Sequence, residues 1–168
     1  MSSGGTHGGA RPGAGSGPGG SDAAEIAACT LLIVDDNEQN LELLQAYLED
    51  LGCGVRLARD GQEALDEVDR KLPDLVLLDV MMPRMSGFQA CSRIKSNPAT
   101  REIPVLMVTA LNEVGDVERA VECGADDFLT KPVNRLELLT RVKSQLKIRI
   151  VKRQLEQTMA ELRRLKRE

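Results

Sequence analysis

At 168 residues, the chain has room for one compact domain plus extensions, and 42% hydrophobic against 29% charged residues is an ordinary globular balance. Aromatics are only 2%, so the core must be aliphatic and little is left to stack on bases, which argues against single-stranded nucleic acid as a partner. The net charge of −4 is uneven: residues 141–168 hold ten Lys/Arg and three Asp/Glu, so this segment carries +7 and the rest −11. Such a basic tail reads first as a solvated helix and second as a surface for nucleic acid or an acidic partner.

In chain order, residues 1–24 are rich in Gly, Ser and Pro and cannot bury enough apolar surface to offset ordering entropy. We therefore expect a disordered tail over 1–27, a folded domain over 28–146 and a helical extension over 147–168. From Thr30, apolar runs of strand length alternate with segments of helical period. The runs are Leu31–Val34, Val55–Ala58, Leu75–Leu78, Val105–Val108 and Phe128–Leu129. Uninterrupted apolar runs suit strands buried on both faces, as in a parallel sheet.

Amphipathic helices are predicted over 38–51 (Leu41, Leu44, Leu48, Leu51), 61–71 (Ala64, Leu65, Val68), 87–96 (Phe88, Cys91, Ile94) and 113–123 (Val114, Val117, Ala120, Val121). A last helix begins near Asn134. Gly52, Pro73, Pro83, Gly87, Pro98, Pro104, Gly124 and Pro132 punctuate the elements. The order is (βα)5. Right-handed crossovers then put helices on both faces of one sheet, and a flavodoxin-like α/β fold with strand order 2-1-3-4-5 and an extended C-terminal helix is expected.

Cys29, Cys53, Cys91 and Cys123 form no CxxC pair, which argues against a zinc or thioredoxin-like site and for small buried hydrophobes in a reducing compartment. The single histidine, His7, lies in the Gly-rich tail, so histidine chemistry has no candidate in the domain. No apolar run has membrane-spanning length and no hydrophobic signal core opens the chain, so a cytoplasmic protein is expected.

Open α/β sheets bind ligands beyond the carboxyl ends of their strands. Asp35 and Asp36 follow the first predicted strand. Asp79 ends the third, Thr109 the fourth, and Lys131 follows the fifth. Three neighbouring carboxylates repel one another and need a cation to stay ionised. An all-oxygen set with few protein ligands suits Mg²⁺, which keeps several waters. Mg²⁺, Thr109 and Lys131 together can bind phosphoryl oxygens. Asp79 stands alone on its strand, as a carboxylate nucleophile forming an aspartyl phosphate should. Taken singly, Asp35 or Asp36 could equally cap a helix, Thr109 could be a strand residue and Lys131 a surface lysine.

The segments LLIVDDNEQN, DLVLLDVMMPRMSGF, VLMVTAL and GADDFLTKPV, in this order, resemble the motifs of response-regulator receiver domains over about residues 30–150. The resemblance implies that Asp35 and Asp36 are the acidic Mg²⁺ pair and Asp79 the phosphoacceptor, with the Met81 main-chain carbonyl as a further metal ligand. It further implies that Thr109 is the switch hydroxyl, that Lys131 binds the phosphoryl group beside a cis Lys131–Pro132 bond, and that Phe128 is the aromatic switch. Phe128, also expected to be partly core, carries no phenolic hydroxyl. The positions two after the phosphoacceptor and two after the switch hydroxyl influence dephosphorylation in that family. Here they are Met81 and Leu111, neither able to orient a water, so a long-lived phosphorylated form is expected. The donor would be a sensor histidine kinase or phosphotransfer protein. Self-phosphorylation and slow autodephosphorylation would be the only catalysis.

Taking Ile148, Leu155 and Leu162 as heptad a positions puts Val151, Thr158 and Leu165 at d, a coiled-coil pattern over the extension that suggests a homodimer or a docked partner. The alternative is a single helix frayed beyond its packed start. The stretch Val108–Leu146 is similar to receivers that precede GGDEF diguanylate cyclase domains, but no cyclase, phosphodiesterase or helix-turn-helix pattern follows within these residues. Other readings fit less well. A haloacid-dehalogenase-type hydrolase normally has a DxD after its first strand, a flavodoxin-like binder needs an anion-cradling loop where Asp35-Asp36-Asn37-Glu38 stands, and a nucleic-acid binder would rest on the tail alone.

Overall fold

The computed structural model describes residues 19–110 and 114–167. Residues 1–18, Leu111 and the side chains of Val114 and Val117 lie outside the described residues. Strands β1 (Thr30–Val34), β2 (Gly54–Ala58), β3 (Leu75–Asp79), β4 (Val105–Thr109) and β5 (Asp127–Thr130) alternate with helices α2 (Glu38–Leu48), α3 (Gly61–Arg70), α4 (Gly87–Ser96), α5 (Val114–Glu122) and α6 (Arg135–Arg167). A further helix, α1 (Gly19–Ala27), precedes β1. All strand pairs are parallel, in the order β2-β1-β3-β4-β5.

Period-two alternation in the strands feeds two cores. Leu31 and Ile33 of β1, Leu75 and Leu77 of β3, and Leu106 and Val108 of β4 face α2 and α6, meeting Leu41, Leu44, Leu138, Val142 and Leu146. Leu32, Val34, Val76, Leu78, Val105 and Met107 face the other side, meeting Ala64, Val68, Ala90, Cys91 and Ile94 of α3 and α4. Every residue of β3 and β4 is buried, which is why their sequences read as continuous apolar runs.

Local chemistry sets the helix starts. Asn37 accepts the amides of Gln39 and Asn40, so it, rather than Asp35 or Asp36, caps α2. Asp60 caps α3, and a reciprocal Ser86–Gln89 capping box opens α4. Gly52, at φ +72°, closes the 3₁₀ turn after α2. Cys29, Cys91 and Cys123 are buried and Cys53 is half-buried, all as free thiols. Among the described residues no helix is long and apolar enough to cross a membrane.

Two expectations need correction. Residues 19–27 were expected in a disordered tail, yet they form α1. Ile26 is buried in the core shared by α2 and α6, and the thiols of Cys29 and Cys53 donate to the carbonyls of Glu25 and Ile26 in its last turn. The helix is too short to persist alone and is held by this docking. Phe128 was expected to be partly core, yet it is 38% exposed and belongs to neither core cluster. On the edge strand β5 it is the neighbouring Leu129 that turns inward.

Candidate functional site

The carboxyl ends of β1, β3, β4 and β5 bring the five polar residues picked from the sequence to one edge. Main-chain bonds fix their relative depth. The amide of Asp35 donates to the Ala58 carbonyl (3.1 Å), that of Val80 to Val108 (3.1 Å) and that of Lys131 to Thr109 (2.7 Å). Asp35, Asp79 and Thr109 are buried, while Asp36 is exposed at the rim. Asp35, Asp36 and Asp79 each offer a carboxylate oxygen, and these oxygens lie within 4.8 Å of one another.

Lys131 answers two of them. Lys131 Nζ lies 3.3 Å from Asp35 Oδ2 and 3.3 Å from Asp79 Oδ1. The other Asp35 oxygen, Oδ1, accepts the Asn37 amide at 2.9 Å, so Asp35 also braces the cap of α2. The Lys131–Pro132 bond is cis, as the resemblance implied. Thr109 sits beside Asp79, one residue past its strand partner Val108. The Met81 amide donates to Asp79, while the Met81 side chain is exposed.

The charge balance is unsatisfied. Burial, with Asp35 as second cause, pushes the Asp79 carboxyl up to about 6, against the opposing pull of Lys131 and the Met81 amide. Burial works against the Lys131 ammonium, but Asp79 and Asp35 outweigh it and raise the lysine above its ordinary value. Three neighbouring carboxylates, two of them sharing the Lys131 ammonium, leave a site that a divalent cation would complete. All the donors are hard oxygens, which fits Mg²⁺.

From the sequence alone, Gly87 reads only as a break between elements. A Cβ there would stand 2.2 Å from the Asp79 carbonyl oxygen and 2.8 Å from Val80 Cα, so α4 can begin against the end of β3 only because residue 87 has no side chain. Its amide donates to Val80 (2.9 Å) and shapes the loop that carries Met81. Arg84, at φ +68°, completes that turn. Beside the carboxylates, a groove of about 240 Å³ is lined by Leu43, Tyr47, Pro132 and Val133 as well as Asp35 and Lys131.

The sequence matches the response regulator receiver domain over residues 31–143. The chain belongs to this family. It is 46% identical over 135 residues to response regulator PleD of Caulobacter vibrioides, covering 80% of this chain and 30% of PleD. It is 41% identical over 117 residues to the alkaline phosphatase synthesis transcriptional regulatory protein PhoP of Bacillus subtilis, covering 70% of this chain and 48% of that protein. The receiver thus spans less than half the length of these two relatives.

Solved receivers share the fold. The signal receiver domain of a histidine kinase from Syntrophus aciditrophicus is 41% identical with a TM-score of 0.68, over 71% of this chain and 91% of that one. A sensor histidine kinase receiver from Pseudomonas aeruginosa, 31% identical with a TM-score of 0.67 over 71% of this chain and 98% of its own, carries a magnesium ion in its active-site cleft. As a receiver, this chain is a two-component signalling module of the kind that accepts phosphoryl groups on aspartate.

Proposed function

We infer that Asp79 is the phosphoacceptor, working with Mg²⁺ held by Asp35, Asp36, Asp79 and the Met81 main-chain carbonyl. The observation that carries this reading is the charge-deficient triad, two of its members buried: three carboxylates within 4.8 Å of one another and a lysine 3.3 Å from the two buried ones. The ion would neutralise the carboxylates and the incoming phosphoryl oxygens. An Asp79 oxygen attacks the phosphorus of a phosphohistidine on a sensor kinase or phosphotransfer protein. The N–P bond breaks, and the imidazole leaves with its electron pair. Lys131, already at Asp79, binds a phosphoryl oxygen, and Thr109 closes on another.

Burial of Asp79 keeps bulk water off the acyl phosphate, and apolar Met81 cannot orient an attacking water, so hydrolysis is slow. The protein is then a switch rather than a turnover enzyme. Phe128, held outward at the β5 edge, is the side chain free to move inward when Thr109 shifts. The groove beside Lys131 is apolar ground for the donor. A cytoplasmic setting, where histidine kinases present their phosphohistidine, belongs to the same reading, and the free thiols agree with it. Output runs through α6, by a change in dimerisation or partner docking.

The test is intact mass after incubation with acetyl phosphate. A single Mg²⁺-dependent phosphoryl gain in the wild type, absent in Asp79→Asn, is expected. A gain that survives in Asp79→Asn would remove Asp79 from the role.

A further inference from the structure

Two of the four thiols stand side by side at the amino edge of the sheet. Cys29 precedes β1 and Cys53 precedes β2. Each lies one residue before the first register pair of these parallel strands, Thr30 and Gly54. The Gly54 amide donates to the Cys29 carbonyl at 3.1 Å, so the two segments are already joined there. Alternate residues further along, Leu31 and Ile33 on β1 and Val55 and Leu57 on β2, belong to or pack against the core facing α2 and α6. The period of two puts both thiols on that same face. Neighbouring strands run about 4.8 Å apart, inside the roughly 4.4–6.8 Å between Cα atoms that a disulfide spans.

Both thiols also hold α1. Cys29 Sγ donates to the Glu25 carbonyl at 3.3 Å and Cys53 Sγ to the Ile26 carbonyl at 3.0 Å, in the last turn of a helix too short to persist alone. Their access differs. Cys29 is buried, while Cys53 is half-buried and lines a groove of about 250 Å³ with Glu42, Glu49 and Val55. A small oxidant can thus meet Cys53 first, with Cys29 in register behind it. The other two thiols, Cys91 and Cys123, are both buried.

We propose that Cys29 and Cys53 are a redox pair that a low-molecular-weight disulfide closes, and that closure loosens α1. The Cys53 thiol loses its proton and attacks one sulfur of the small disulfide, whose other sulfur leaves as a thiolate and takes up a proton. Cys29 then loses its proton and attacks the Cys53 sulfur of the mixed disulfide, and the second small thiol leaves. The protein gives up two electrons, and the small disulfide is reduced to two thiols. Both S–H donors to α1 are then gone. Because α1 packs against α6, with Asp22 4.0 Å from Lys147, loosening it unpacks one flank of the last helix. Burial, then Asp74, raises both thiols above the ordinary cysteine value, Cys29 to about 11. Exchange is therefore slow, and the pair answers a sustained oxidising load. The inference does not rest on the chemistry at Asp79, which lies at the opposite edge of the sheet.

The experiment incubates the full chain, without denaturant, with cystamine, a cationic disulfide suited to a groove whose charged lining residues are Glu42 and Glu49. The protein is then alkylated, digested and mapped by mass. A Cys29–Cys53 link is expected, with Cys91 and Cys123 alkylated. Cys29→Ser should stop at a cystamine-derived adduct on Cys53, and Cys53→Ser should leave Cys29 free. In the linked wild type, hydrogen exchange at the Ala28 and Cys29 amides, which donate into α1, should quicken by about tenfold and return to its starting rate with dithiothreitol. A wild type that forms no such link, although the urea-unfolded chain reacts, overturns the proposal. So does a link between Cys91 and Cys123 or between two copies in its place, or a linked form whose α1 exchanges no faster. The Mg²⁺-dependent phosphoryl gain, read on the same samples, bears on Asp79 alone.

Discussion

The two edges of the sheet treat carboxylates in opposite ways. At the amino ends of the strands, Asp74 accepts the Thr30 amide at 2.8 Å and pairs with Arg153, while Asp126 accepts the Val105 amide at 2.7 Å and the Lys95 ammonium at 2.6 Å. Each acid there has its own cation and its own amide, and each ties together elements remote in sequence. At the carboxyl ends, Asp35 and Asp79 share Lys131 with Asp36 close by, and Asp79 is held well above its ordinary pKa. Residue type is the same; provision of partners is not. The paired acids hold the fold, and the underpaired ones store a demand for positive charge that a ligand can meet.

The contrast breaks if removing a charge has the same sign of effect at both edges. The largest expected effect is at Asp79, where Asp79→Asn abolishes the phosphoryl gain yet stabilises the metal-free protein. Because its folded pKa, about 6, is above the ordinary 3.8, ionisation of Asp79 disfavours the folded state: stability is fully present below the ordinary value and lost as pH rises through about 6. In urea titrations without Mg²⁺, the variant's advantage should therefore be small near the lower value and open to on the order of 2–3 kcal/mol above the upper one. Added Mg²⁺ should stabilise the wild type and narrow that gap.

Next comes Gly87→Ala. It forces backbone apart beside the site, costs about 3 kcal/mol in denaturant melts and weakens the Mg²⁺-dependent shift. Asp74→Ala should destabilise by about 2 kcal/mol, opposite in sign to Asp79→Asn, by stripping the Thr30 amide and Arg153 of their acceptor, and phosphorylation at Asp79 should persist. Smallest is Asp22→Ala. Its 4.0 Å pair with Lys147 is more than half exposed on both sides, so the melting curve should move by less than about 0.5 kcal/mol.

Much of this was legible in the sequence because the signals were local and repeated. Apolar runs of four residues leading into Asp79 or Thr109 announce buried parallel strands and their functional ends together. The strand order and helix sequence follow from the same alternation. What escaped depends on contacts between distant residues. The sequence GGSDAAEIA has a weak helical pattern, and only the pocket for Ile26 and the thiols of Cys29 and Cys53 makes it a helix. Gly87 looks like any loop glycine until the Asp79 carbonyl is seen beside it. Asp74 reads as the polar start of a strand, and its partner Arg153 lies 79 residues away. Phe128 was misjudged because apolar character says little about which side of an edge strand faces the core.

Lys131 stands four residues before the first residue of α6, and from Arg135 to Arg167 that helix is uninterrupted, a rod of about 50 Å. Nothing along it can act as a joint. The rod is pinned part-way, where Arg153 meets Asp74. Its first half is also held by Leu138, Val142 and Leu146 in the core, so a tilt of roughly 5° of the whole helix would carry the tip, 14 residues past Arg153, by about 2 Å. Any tilt of α6 would therefore reach the far end of the helix as a displacement instead of being absorbed at a bend.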